Sequence, residues 1–496
     1  MLNRPALVLG AAALLLHLSV NGGYGIFRDE LYYIVCGQHL AWGYMDQPPL
    51  TPAIAALSWA VFGGWLPGFR LAPALCFAAT VILTIQLARL LSAGRFAAWL
   101  AGITVFAGGV LQVFGVLLTT DILQPPAWTA CTYLLVRAVR DGEKRAWLAL
   151  GATAGIAFLG KYNVAFHLGA LGLAILLLPQ RRALLAWQPF AAAAIMLAIA
   201  APNLLWQALH GWPFLAHIRD LAANHTISLG PLAYMAQQIL QAGPGTLLVW
   251  AAGLAALLFW PGFRNVRWIG LGYVLLIAFG FVTSGKPYYV APVYPGLFAA
   301  GAVALEAWLA STALRTGLAA LVTAGAIQIA PLVLPILPPA RLVAYMTFLG
   351  LVPSTGERTQ DGALPQYFAD MFGWQAYADS ITAAWRALPE PDRAQAAFLG
   401  RNYGETAAVQ LLGHGPDAIS LHQSYWFWGP KGHDGSVLLH MGESRAHLLT
   451  LFDSVEQVGT TPAGWGMPYE SGRPIWLCRG MHPKLTDYWK DHLQDN

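Results

Sequence analysis

Apolar, nearly uncharged runs that cross or almost cross a bilayer recur through this 496-residue chain. They lie at approximately 5–24, 70–91, 96–117, 122–138, 146–160, 164–179, 185–205, 246–260, 267–283, 288–310 and 315–337. A hydrocarbon core of about 30 Å takes about 20 residues of helix. Lipid offers no partner to an open backbone, so such runs must be helical. The pattern predicts a polytopic all-α membrane protein with about eleven transmembrane helices. Composition agrees: 57% of residues are hydrophobic and 10% charged, against about 25% charged in a soluble domain. The net charge is +4 and the basic residues are scattered, which excludes a nucleic-acid binder. Cys36, Cys76, Cys131 and Cys478 are far apart and read as small buried apolar side chains. Leu7 to Val20 has no clear cleavage site behind it and reads as a retained first span.

Basic residues orient these runs. With the amino terminus inside, the cytoplasmic loops hold Arg89 and Arg95; Arg137, Arg140, Lys144 and Arg145; Arg181 and Arg182; Arg264 and Arg267; and Arg315. The stretch from Pro48 to Gly64 is apolar but short, and it opens on Pro48-Pro49. Counting it as a span would move Arg89 and Arg95 outside, so it is expected to lie in the outer interface. The first outer loop is then 25–69, with interfacial helices. Arg28, Asp29, Glu30, Asp46, Asp121, Lys161 and Tyr162 fall outside, with the loops 206–245 and 284–289. Chemistry is expected on the outer face of the cytoplasmic membrane.

Composition changes after residue 338, where a Pro-rich segment closes the last run. Residues 1–338 are expected to form the transmembrane domain and 339–496 an extracytoplasmic α/β domain. Short apolar runs at 396–399, 436–439 and 475–478 predict strands, and amphipathic stretches at 374–388 and 405–412 predict helices.

Asp29 and Glu30 follow the first run directly in Gly25-Ile-Phe-Arg-Asp-Glu-Leu-Tyr-Tyr33, and Asp46 follows in Met45-Asp-Gln-Pro-Pro-Leu50. Acids where a membrane helix meets water are costly to keep and usually functional; a hydrated pair neutralised by Arg28 is the plainer alternative. Pro48-Pro49 restrict the backbone after Asp46. Tyr32, Tyr33 and Trp42 offer rings of the kind that meet headgroups or sugars. Asp121 begins a span after Thr119-Thr120, as either a working acid or a helix cap. Lys161 precedes Tyr162, and Lys286 shortly precedes Tyr288-Tyr289, each in a nearly uncharged stretch. A cation with phenol donors suits phosphate, and snorkelling to headgroups is the alternative. Glu306 and His17 read as structural, Asn224-His-Thr226 fits a glycosylation sequon, and the 13 histidines show no metal-ligand spacing. Asp29, Glu30 and Asp121 would share a divalent cation if they converged, which sequence separation leaves open.

Five motifs occur in order: Phe27-Arg-Asp-Glu-Leu-Tyr-Tyr33, Asp46-Gln-Pro-Pro-Leu50, Leu118-Thr-Thr-Asp121, Gly160-Lys-Tyr162 and Lys286-Pro-Tyr-Tyr-Val-Ala-Pro-Val-Tyr-Pro295. Together they resemble the GT-C glycosyltransferases related to dolichyl-phosphate-mannose–protein mannosyltransferases. The bacterial branch includes aminoarabinose transferases of lipid A and galacturonosyltransferases of lipopolysaccharide core. The resemblance covers about residues 5–340. The tail, with Asn402-Tyr-Gly-Glu405 and Ser424-Tyr-Trp-Phe-Trp-Gly-Pro430, looks like the extracytoplasmic domain of some bacterial members.

The resemblance implies a GT-C type fold and transfer of a hexosyl or pentosyl group from a polyprenyl-phosphate donor. The acceptor would be a hydroxyl on a lipid, glycan or protein. It makes Asp29 the acid beside the acceptor, Glu30 its partner and Asp121 a second acid facing the cavity. Lys286 with Tyr288 or Tyr289 would contact the donor phosphate. Asp46-Gln47 stands where the aminoarabinose branch has Glu-Lys, so one phosphate-binding lysine of that branch is missing, which puts that branch's donor and acceptor in doubt for this chain; Lys161 or Lys286 would have to compensate. A carboxylate, Asp29 by preference, would take the acceptor proton in an inverting displacement. The rival reading is a polyprenyl-linked lipid transporter or flippase, which should show internal repeats and paired broken helices; the sequence shows neither.

Overall fold

The computed structural model describes residues 3–221, 229–353 and 360–492. The sequon Asn224-His-Thr226 lies outside them. All eleven apolar runs are helical, as the medium requires. Their lengths differ from the expectation. Among the described residues four helices are long and apolar enough to span by themselves: Leu71–Leu90, Trp187–Leu209, Pro287–Trp308 and Thr312–Val333. Counting three bent pairs as one span each gives seven. The pairs break by 66° between Phe106 and Gly109, 117° between Leu176 and Pro179, and 89° between Ala242 and Pro244. At the last break Gly243 has φ +90°, and a Cβ there would come within 1.9 Å of the Ala107 carbonyl oxygen. Only glycine takes that turn at that distance. Arg4–Val20 and Arg267–Val282 are apolar but shorter, and Leu50–Phe62 is a helix as expected.

Small residues let the helices approach. Gly253 of Leu247–Phe259 and Gly301 of Tyr294–Trp308 lie against each other's backbones, and a Cβ on Gly301 would sit 1.8 Å from the Val249 carbonyl oxygen. The bundle has a basic end and an acidic end. At the basic end Glu306 accepts hydrogen bonds from the backbone N–H groups of Gly94, Phe96 and Ala97, capping the helix Arg95–Phe106. Arg140 donates to the Leu90 carbonyl, and Arg315 donates to those of Glu306 and Leu309.

At the acidic end the chain folds into a five-stranded mixed sheet. Its strands are β1 (Ala397–Leu399), β2 (Asp417–Ile419), β3 (Val437–Met441), β4 (Phe452–Thr460) and β5 (Pro474–Met481), in spatial order β2-β1-β3-β5-β4. β1 pairs in parallel with β2 and β3, and β5 runs antiparallel to β3 and β4. The helix Tyr403–Leu412 links β1 to β2, as a parallel pair requires. The expected strands and helices are all present, while β2 and β4 are additional. One apolar cluster joins Leu31, Ile34, Val35 and Phe69 to Tyr377, Ile381, Ala408 and Leu439. The segment that follows the first helix therefore shares its core with the C-terminal sheet.

Candidate active site

The helix Arg28–Gln38 begins on the acids. Phe27 is its N-cap, and the Glu30 carboxylate bends back to accept the Phe27 N–H at 2.9 Å. Glu30 then receives Arg70 on both oxygens, Nε to Oε1 at 2.9 Å and Nη2 to Oε2 at 2.7 Å, with neither side chain exposed. The Leu118 N–H donates to it as well, at 3.0 Å. Arg70 spends its other donors on the Asn21 and Gly25 carbonyls. Glu30 is thus a buried clasp with its acceptors occupied, and it does not join Asp29 as a working pair.

Asp29 points the other way. Tyr403 of the C-terminal helix donates its hydroxyl to Oδ1 at 2.7 Å, and Arg28 Nε lies 3.6 Å from the same oxygen. A quarter of the Asp29 side chain remains exposed. Arg28 is held by Tyr469 Oη at 2.8 Å and lies 3.6 Å from Asp370. Asp46 accepts the Tyr32 hydroxyl at 2.8 Å. Desolvation pushes its carboxyl up to about 7, against the Tyr32 hydrogen bond.

Asp121 is no helix cap, since the following helix Gln124–Leu135 starts on Leu123 without a side-chain cap. Both Asp121 oxygens receive Lys161 Nζ, at 2.8 and 2.7 Å. Lys161 is placed by the end of Lys144–Gly160, where the backbone turns extended. Its ammonium lies 4.9 Å over the Tyr289 ring and 5.7 Å over that of Tyr288. The 3-10 segment Pro287–Val293, which Lys286 precedes, is thereby drawn to the Asp121–Lys161 pair. Tyr162 donates to Asn203 Oδ1 at 2.9 Å, and Asn203 holds the Trp42 carbonyl at 2.8 Å.

Tyr33 ties the parts together. Burial first, then the charges of Asp29 and Asp46, the Tyr403 phenol and Asp121, push its hydroxyl well up, so the charges of three acids from two distant segments act on one phenol. The divalent-ion expectation for Asp29, Glu30 and Asp121 does not fit, because Arg70 occupies Glu30 and Lys161 occupies Asp121. Among the described residues no three His, Cys, Asp or Glu side chains converge as metal ligands. A separate open groove of about 700 Å³, lined by apolar side chains such as Leu248, Ala252, Leu305, Leu314 and Leu321, touches none of these groups.

Sequence reasoning missed Arg70, Asn203 and Tyr403. A lone arginine between Phe69 and an apolar run was a readable signal, and Tyr403 stood in the quoted motif Asn402-Tyr-Gly-Glu405 without a role; nothing local marked Asn203. The arrangement can take a proton on a carboxylate and hold an anion beside an ammonium, since Lys161 has three donors and Asp121 engages two oxygens' worth of them.

Residues 46–206 match the dolichyl-phosphate-mannose-protein mannosyltransferase family. The lipid A galacturonosyltransferase RgtD of Rhizobium johnstonii is 27% identical over 273 residues, which cover 51% of this chain and 54% of that protein. The chain thus matches about half the length of this curated relative. Among solved structures, ArnT from Cupriavidus metallidurans superposes with a TM-score of 0.61 in both its apo state and its undecaprenyl-phosphate complex. Identity is 15% and 16%, and coverage is 95% of this chain and 97% of that one, a likeness of fold. Residues 46–206 are thus similar to the dolichyl-phosphate-mannose-protein mannosyltransferase family, and the likeness to ArnT shows that nearly the whole chain has its fold.

Proposed function

We propose that the chain transfers a sugar from a polyprenyl-phosphate donor to an acceptor hydroxyl at the outer face of the cytoplasmic membrane, with inversion. One observation carries this reading: Lys161 stands between the Asp121 carboxylate and two tyrosine rings, and the charges of Asp121, Asp29 and Asp46 all act on the Tyr33 phenol, at the acidic end of an apolar bundle. Asp29 is the base, because its carboxylate is partly exposed and oriented by a donor. Lys161 receives the donor phosphate, helped by Lys286 and Tyr288 or Tyr289, and balances the negative charge that grows there as the sugar departs. Phosphate leaves without protonation, so no general acid is required. Asp46, Arg28 and Tyr162 shape the acceptor side. The prenyl chain lies between the helices. Eleven crossings with the amino terminus inside put residues 1–338 in the membrane and the domain 339–496 outside. The undecaprenyl phosphate bound to ArnT and the lipid A acceptor named for RgtD support a lipid-linked donor and a lipid or glycan acceptor.

The test is transfer from a panel of radiolabelled undecaprenyl-phosphate sugars by purified protein in lipid, with a membrane extract as acceptor. Wild type should form a labelled product, and Asp29→Asn should lower the rate by about 10²- to 10⁴-fold, the span of general base catalysis. Label that crosses sealed vesicles without forming product would replace this reading with a flippase.

A further inference from the structure

We propose that Tyr403, carried by the C-terminal helix Tyr403–Leu412, is a positioning residue that aims Asp29 at the acceptor hydroxyl; this rests on the glycosyl transfer proposed above. Its hydroxyl donates to Asp29 Oδ1 at 2.7 Å. The nearest charged group, Arg28 Nε, lies 3.6 Å from that same oxygen. One carboxylate oxygen is therefore engaged from the C-terminal side, and no hydrogen bond from the described residues reaches the other. A carboxylate tied at one oxygen loses rotational freedom at the other, which is the oxygen that must meet the proton.

The phenol is itself held in place. Its ring stacks on His422, with centroids 5.2 Å apart and planes 14° apart, and meets Tyr32 at 4.8 Å. The Arg28 guanidinium lies 5.4 Å from the ring centroid, and the Tyr403 N–H donates to His422 Nδ1 at 3.1 Å. Gly404 leaves room for this packing, since a Cβ there would come within 2.3 Å of Arg28 Cγ. Burial keeps the phenol protonated, so it only donates to the carboxylate. The same C-terminal region reaches the second acid. The Ser424 N–H donates to Tyr32 Oη at 3.1 Å, and Tyr32 donates onward to Asp46. The C-terminal region thus supplies the donor to Asp29 directly and, through Ser424, holds the tyrosine that donates to Asp46.

Tyr403→Phe removes one oxygen atom and keeps the stacking. It should be assayed in the full chain reconstituted in lipid, with whichever undecaprenyl-phosphate sugar wild type uses. We expect kcat to fall about 10- to 100-fold, as loss of a hydrogen bond to a charged group implies, with KM for the donor within about twofold. Tyr425→Phe, whose lost hydroxyl met Gln410, serves as the packing control and should keep wild-type kcat and KM. If wild type is active and Tyr403→Phe matches its kcat, or loses kcat and KM together, with or without a lower melting midpoint, the positioning role is overturned and glycosyl transfer stands. If wild type transfers from no donor, the glycosyl-transfer reading falls and takes this role with it.

Discussion

Successive residues of a helix point about 100° apart, and that angle separates Asp29 from Glu30. Adjacent in sequence, they read as one acidic pair; in the fold one faces the site and the other faces Arg70. The motif was legible because acids at a membrane boundary are rare. The division of labour was not, because it depends on partners 40 and 374 residues away. Asp46 carries a prediction at this scale. Its carboxyl rises from an ordinary value near 3.8 to about 7 in the folded protein. The native state therefore binds this proton more tightly than the unfolded chain does. The stability from this group is complete below the unfolded value and is lost as pH rises through about 7. Unfolding midpoints measured from pH 4 to pH 8 should decline in wild type and decline less steeply in Asp46→Asn. Equal slopes would show that Asp46 is not the titrating group.

At the scale of elements, the Glu30–Arg70 clasp fastens the start of Arg28–Gln38 to the residue that precedes the long helix Leu71–Leu90. Removing one partner leaves a buried charge unpaired, a loss of about 3–5 kcal/mol. Arg70→Ala should therefore unfold at a clearly lower temperature in lipid or detergent, whereas Asp29→Asn should keep the wild-type midpoint and lose only turnover. A wild-type midpoint for Arg70→Ala would mean the clasp is dispensable. The strands show the same limit on legibility. β1, β3 and β5 are buried apolar runs and were readable. β4 is an edge strand whose sequence, Phe-Asp-Ser-Val-Glu-Gln-Val-Gly-Thr, buries chiefly Phe452 and Val455 and slips register between Gln457 and Gly459. Its alternation is too broken to mark a strand.

Across the whole molecule, charge and fold sort together. The loops bearing Arg95, Arg140 and Arg315 meet at one end through Glu306 and backbone carbonyls, while the acids, Lys161 and the sheet occupy the other. Loop charge reported this sorting because each loop records its side independently. Helix length could not report the number of crossings, because bends at glycine and proline split single runs into shorter helices. Orientation is nevertheless testable: the proposed eleven crossings with the amino terminus inside would put the sheet outside and the basic loops inside. The four native cysteines are buried or half-buried, so an introduced exposed thiol should dominate labelling by a membrane-impermeant maleimide. His482→Cys, exposed beyond β5, should react in intact cells. Lys144→Cys, at the start of Lys144–Gly160, should react only after permeabilisation. If His482→Cys alone stays protected, the sheet and the acids beside it face the cytoplasm, and the donor sugar would have to be met on that side. If both react in intact cells, an even number of crossings separates the two positions and the eleven-crossing topology falls.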